Sequence, residues 1–141
     1  MLDTTILVYA KGRDHPLRGP CTALIEAISN GSLQATTTPE VIQEFVHVRS
    51  RRRTRTDAVA LGKAFTDLLS PLLVVGEEAL LDGLRLFRQH PSLGTFDAVL
   101  AATAIASRAE ALLSADRTFS RVRALTHVVP GTRAFGHLVG Q

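Results

Sequence analysis

Four acidic residues in the sequence sit where carboxylates could do chemistry: Asp3, Glu44, Asp97 and Asp116. Asp97 opens the helical stretch "DAVLAATAIA", and Asp116 closes the apolar segment "ALLSAD". Each has an ordinary structural reading. An acid in a first helical turn is favoured by about 0.3–1 kcal/mol, an Asp after a strand starts a turn, and a helical glutamate such as Glu44 is usually solvated. Taken together they make an oxygen-only site of the kind that Mg²⁺ or Mn²⁺ prefers. Crowded carboxylates repel, and each tends to keep its proton unless a cation compensates. A cation so held polarises a phosphoryl oxygen and promotes in-line attack by water.

Other chemistries are excluded by pattern. Neither G-x-x-x-x-G-K-[ST] nor G-x-G-x-x-G occurs, so both phosphate-cradling loops are missing. One cysteine and five scattered histidines give no zinc-ligand spacing, and no G-x-S-x-G presents a nucleophilic serine. Asp3-Thr4-Thr5 lacks the second acid of an aspartate-nucleophile phosphatase.

The elements that must position the acids follow from punctuation and periodicity. "MLDTTILVYA" has the β-branched content of a strand. "LRGPCTALIEAIS" reads as a helix capped by Asn30-Gly31. "SLQATT" is a short strand candidate. Thr38-Pro39-Glu40 starts a helix that carries Glu44. A further helix is predicted over Thr56 to Leu69, a buried strand at "LLVV" (72–75), and a helix over "EEALLDGLRLFRQH" that ends before Pro91. Thr95 is the expected cap of the Asp97 helix, and "ALLSAD" and "THVVP" are the last strands. Short apolar strands alternating with helices imply a mostly parallel sheet covered on both faces. Sites in such folds form outside the carboxyl ends of the strands.

At 141 residues, 45% of them apolar, the chain suits one domain over 1–141. The lone Cys21 excludes an intrachain disulfide and reads as a buried, inert thiol. The start lacks a basic leader segment, and no apolar run reaches the roughly 18 residues of a membrane span. A cytoplasmic location is therefore expected. The net charge is +3, and every basic residue except Lys11 and Lys63 is an arginine. A GC-rich genome gives that bias, and so does phosphate recognition. "HVRSRRRTR" concentrates Arg49, Arg51, Arg52, Arg53 and Arg55 on the Glu44 helix and just beyond it. They are either a solvated helix end or contacts to an RNA backbone. With no aromatic interleaved, stacking on bases is not expected of this run.

The segments "LDTTILVYA", "TTTPEVIQEFVHV", "GTFDAVLAATA" and "LLSADRTF" resemble the successive acidic motifs of PIN-domain ribonucleases, especially the VapC-like toxins of toxin–antitoxin pairs. The resemblance runs from Asp3 to Pro130. It implies an α/β/α three-layer sandwich and a Mg²⁺- or Mn²⁺-dependent endoribonuclease. By position, Asp3, Glu44, Asp97 and Asp116 match the family's four acids, with Asp3, Asp97 and Asp116 on the metal, and Ser114 matches a supporting hydroxyl. It also implies a turn into helix just after Asp3, against the strand pattern of "ILVYA". It implies a cognate antitoxin that places a basic side chain near the acids. The apolar helices nearest the N-terminal half would supply the partner groove and a homodimer contact. Two positions depart from the family: Thr5 stands where asparagine is common, and Thr118 where a further acid often follows. The alternative is a non-catalytic RNA-binding domain in which the arginines bind and the acids hold no productive metal.

Overall fold

A computed structural model describes residues 1–140. Seven helices run α1 (Thr4–Ala10), α2 (Arg18–Ser29), α3 (Pro39–Ser50), α4 (Arg55–Leu69), α5 (Glu77–Gln89), α6 (Thr95–Ala106) and α7 (Arg133–Leu138). Two short strands, β1 (Leu112–Leu113) and β2 (His127–Val128), flank a 3-10 turn at Arg117–Arg121.

Local chemistry explains several boundaries. Thr38 caps α3 by accepting from the Val41 N–H, with Pro39 next and Glu40 in the first turn; such a cap contributes about 1 kcal/mol. Asn30 ends α2, and Gly31 turns the chain away at φ +79°. Thr54 caps α4 through the Asp57 N–H, so that helix starts one residue before the expected Thr56. α6 begins at Thr95 itself, with Gly94 rather than Thr95 in the capping position. The residues after Asp3 form helix α1, not a strand. Its buried positions Ile6, Leu7 and Ala10 follow helical spacing, whereas alternation would have buried Ile6, Val8 and Ala10. The family resemblance therefore prevails over β-branching at this point.

The strand pairing is parallel throughout. Leu112 and Leu113 lie opposite His127 and Val128, and Leu2 bridges to Leu113 on the other side of β1. The expected strands at 32–37 and 72–75 are not formed as regular strands. They run beside the sheet with single backbone bonds, Leu2 N–H to the Thr36 carbonyl (3.0 Å) and Leu73 N–H to the Thr37 carbonyl (2.9 Å). The Thr37 hydroxyl donates to the Leu2 carbonyl at 2.7 Å, taking an acceptor that a continuing ladder would give to a backbone N–H. The α/β class with parallel pairing stands, and regular pairing is confined to the residues next to Asp3 and Ser114.

The hydrophobic core draws on residues from Met1 to Phe135, including Leu2, Ile6, Leu7, Leu24, Phe45, Leu69, Leu112 and Phe119. Phe45 of α3 meets Phe65 of α4 edge-on at 5.0 Å, a geometry favoured by the ring quadrupoles. Cys21 is buried, and burial pushes its thiol up to about 12, so it is inert as expected. α6 presents Ala98, Ala101, Ala102 and Ala104 to the interior. Its Val99 fits against Gly83 of α5 so closely that a Cβ on Gly83 would lie 2.6 Å from the Val99 Cα.

Candidate active site

Asp3 is buried at the junction of Leu2 and α1, where it is the N-cap. A buried carboxylate needs donors, and the chain supplies them from both of its ends. The Thr5 hydroxyl donates to Asp3 Oδ2 at 2.7 Å and the Thr5 N–H at 3.3 Å. The Ser114 hydroxyl donates to the same oxygen at 2.7 Å. Ser114 in turn accepts from the Asp116 N–H at 3.0 Å, and Thr5 accepts from the Ala115 N–H at 2.9 Å. One hydroxyl thus links the first and fourth acids. Behind it, His127 Nε2 lies 3.0 Å from the Ser114 carbonyl and Nδ1 lies 2.7 Å from the Ser120 hydroxyl. A carbonyl only accepts, so Nε2 carries a proton and donates it to Ser114.

Glu44 reaches the site from the middle of α3, and the Thr4 hydroxyl donates to its Oε2 at 2.6 Å. Asp116 precedes the 3-10 turn and accepts from the Thr118 N–H at Oδ1, 2.9 Å. Asp97 stands in the first turn of α6, half-buried. The absent side chain of Gly94 leaves it room, since a Cβ there would lie 3.3 Å from Asp97 Oδ2. Burial first, and then the charges of Asp3, Asp116 and Glu44, push the Asp97 carboxyl up to about 6. Asp97 thus feels the charge of the other three acids.

The occupancy of the carboxylate oxygens follows a pattern. Among the described residues, Asp3 is bonded only through Oδ2, Glu44 only through Oε2, Asp116 only through Oδ1 and Asp97 through neither oxygen. Each acid keeps at least one oxygen without a protein donor. The Thr118 hydroxyl, close by in sequence, is buried without a hydrogen-bond partner, as happens where a water or ion completes a network. Among the described residues no group of three or more His, Cys, Asp or Glu side chains is gathered tightly enough to hold a metal ion unaided.

The sequence pattern singled out the four acids and Ser114, and they are neighbours here. It missed Thr4, Thr5 and His127. Thr5, read as a departure from asparagine, supplies the hydroxyl that holds Asp3. The only local signal for it is its place two residues after the acid. Within the arginine run, Arg49 is already engaged: Nε and Nη2 contact the two Asp57 oxygens at 2.6 and 3.3 Å, and Nη1 donates to the Lys11 carbonyl at 2.7 Å. Arg51, Arg52, Arg53 and Arg55 are exposed and form no ion pair among the described residues. The large exposed apolar side chains are Val59 on α4, Val74, four residues of α5 (Leu80, Leu81, Leu84 and Phe87) and Phe96 at the start of α6.

Residues 1–125 match the family described as PIN domain, and the chain belongs to it. Within that family it is similar to Ribonuclease VapC7 of Mycobacterium tuberculosis (strain ATCC 25618 / H37Rv), at 50% identity over 141 residues, covering 99% of this chain and 97% of that protein. It is also similar to Ribonuclease VapC23 of Mycobacterium tuberculosis, at 30% identity over 99 residues, covering 68% of this chain and 75% of that protein. The VapC-like resemblance expected from the motifs is borne out.

Proposed function

We propose that this protein is a Mg²⁺- or Mn²⁺-dependent endoribonuclease that hydrolyses RNA phosphodiester bonds as the toxin of a toxin–antitoxin module. The observation that carries the reading is the division of labour at each carboxylate. One oxygen of Asp3, Glu44 and Asp116 is fixed by a protein donor, and another is left without one. A hydroxyl that tethers a carboxylate fixes its rotamer, and rigid placement is what a metal site requires.

On this reading Asp3, Asp97 and Asp116 hold the cation, Glu44 completes the acidic field, and Ser114 and Thr5 orient Asp3. A divalent cation bound there supplies charge that polarises a phosphoryl oxygen and eases the loss of a proton from water. Glu44, exposed and held by Thr4 at one oxygen only, is placed to take a proton at Oε1. The relatives' names attach ribonuclease activity to them, and the shared acidic field of this chain extends that activity to it. Arg51, Arg52, Arg53 and Arg55 hold the RNA backbone, and Arg49 braces the end of α3 just before the run. The same reading makes residues 1–141 one domain working in the cytoplasm, restrained by a cognate antitoxin and paired as a homodimer. No helix among the described residues is long and apolar enough to cross a membrane.

The test is incubation of the pure protein with RNA, with and without Mg²⁺ or Mn²⁺, followed by mapping of the ends. Cleavage is expected only with the cation. Asp97→Asn is expected to lower the rate by more than about 100-fold, since even partners of metal ligands cost 10–100-fold when lost. Activity that survives chelation, or an Asp97→Asn variant as fast as the parent, would overturn the metal mechanism.

A further inference from the structure

Helices α1 and α3 lie side by side and are tied at both ends. At the acidic end the Thr4 hydroxyl donates to Glu44 (2.6 Å), and at the other end Arg49 donates to the Lys11 carbonyl (2.7 Å). From Thr4 to Lys11 is seven residues, or roughly 10 Å of helix. Just beyond the second tie is a cavity of about 300 Å³. Its wall carries Lys11, Arg13, Arg49, Arg52 and Arg53 and not one carboxylate. Lys11, Arg13, Arg52 and Arg53 are exposed and pair with no acid among the described residues. Arg49 is different, because Asp57 and the Lys11 carbonyl take three of its five N–H donors. The Arg49 hydrogen bond, ahead of the charges of Arg49 and Arg53, holds the Asp57 carboxyl below the usual carboxylate range. Arg49 is therefore a positioning residue that fastens the Lys11 turn to α3, and the other four cations surround an open concavity.

We propose that this cavity is a second phosphate subsite, which grips the RNA backbone a few nucleotides from the bond being cut. The proposal rests on the nuclease reading of the acidic site and extends it to two cations from outside the arginine run, Lys11 and Arg13. Concave surfaces lined by one sign of charge focus potential on a ligand of the opposite sign. Arginine forks match phosphate oxygens in pairs. The roughly 10 Å between the ends of α1 equals about three nucleotides at the stacked rise of 3.4 Å per strand. The one aromatic ring on the wall, Phe45, is 1% exposed and committed to the core. The subsite thus has no platform for stacking a base and takes the backbone alone.

The experiment measures equilibrium binding of a fluorescent single-stranded RNA of about 12 nucleotides across a salt series, in chelator so that nothing is cut. The proteins compared are the parent, Lys11→Ala/Arg13→Ala, and Lys63→Ala/Arg88→Ala, which removes two exposed charges from α4 and α5. The first pair is expected to weaken binding at least tenfold at low salt and to lower the salt slope by roughly two charges. The second pair is expected to match the parent. Unchanged affinity and slope in Lys11→Ala/Arg13→Ala would overturn the subsite and leave the nuclease reading intact. Loss of binding to a polyglutamate peptide with RNA binding unchanged would also overturn it, in favour of an acidic protein segment. A parent that binds RNA in this pattern but never cuts it with Mg²⁺ or Mn²⁺ would sink the nuclease reading and uphold the phosphate site.

Discussion

Among the described residues Asp97 has no protein donor on either oxygen, while Asp3, Glu44 and Asp116 each have one oxygen engaged. Burial and three neighbouring acids push its carboxyl up to about 6. The sign of the pH dependence follows. Between the ordinary carboxylate range and about 6 the folded protein binds more protons at Asp97 than the unfolded chain does, so stability falls as pH rises through that window. In metal-free buffer the parent is expected to melt lower relative to Asp97→Asn at about pH 7 than at about pH 4. Mg²⁺ should narrow the gap at the higher pH by binding the folded parent. Thermal melts of the two proteins with parallel pH profiles would remove the shared acidic field. The variant that loses activity is thus expected to gain stability, a familiar conflict at strained sites. The acids and Ser114 were legible in the sequence because they end or begin apolar segments. Thr4, Thr5 and His127 were not, because their partners lie 40, 110 and 13 residues away and leave no local pattern.

Among the elements, α6 sets the position of Asp97, and α5 sets the position of α6. Gly83 is the contact point, where an added Cβ would meet the Val99 backbone as well as its side chain. Gly83→Ala would gain about 0.8–1 kcal/mol of helix propensity. It would also meet overpacking of about 1–3 kcal/mol against atoms that cannot rotate away. The expected result is a lower melting temperature, by several degrees for each kcal/mol lost, with reduced RNA cleavage as Asp97 shifts. A melting temperature raised by the substitution would mean that α5 and α6 separate freely. Helix boundaries were readable at Thr38-Pro39 and at Asn30-Gly31, where a cap or a turn residue stands beside a proline or glycine. β-branching alone suggests a strand at α1, but the helix that the resemblance implies forms, because Asp3 as a cap and the burial of Ile6, Leu7 and Ala10 outweigh a weak propensity. The segments at 32–37 and 72–75 look like strands in composition, yet the Thr37 side chain occupies the Leu2 carbonyl that regular pairing needs. No pattern in the sequence announced α7 (Arg133–Leu138), a six-residue helix.

For the whole molecule, the proposed activity inside a cell demands restraint. Expression alone is expected to arrest growth, co-expression of the neighbouring small open reading frame to restore it, and the two proteins to copurify. Harmless expression of the folded chain with no copurifying partner would remove the toxin assignment while leaving the nuclease assignment to the cleavage assay. The bond between Ser114 and Asp3 spans 111 residues, and β1 gains its two neighbours only when Leu2 and His127 are both present. That separation has a meaning for translation. A ribosome adds roughly 5–20 residues per second, so a nascent chain carries Asp3 for several seconds before Ser114 and Asp116 exist. Until then Asp3 lacks the Ser114 donor, and the acidic field lacks its fourth member. The four acids therefore come together only after Ser114 and Asp116 have been made.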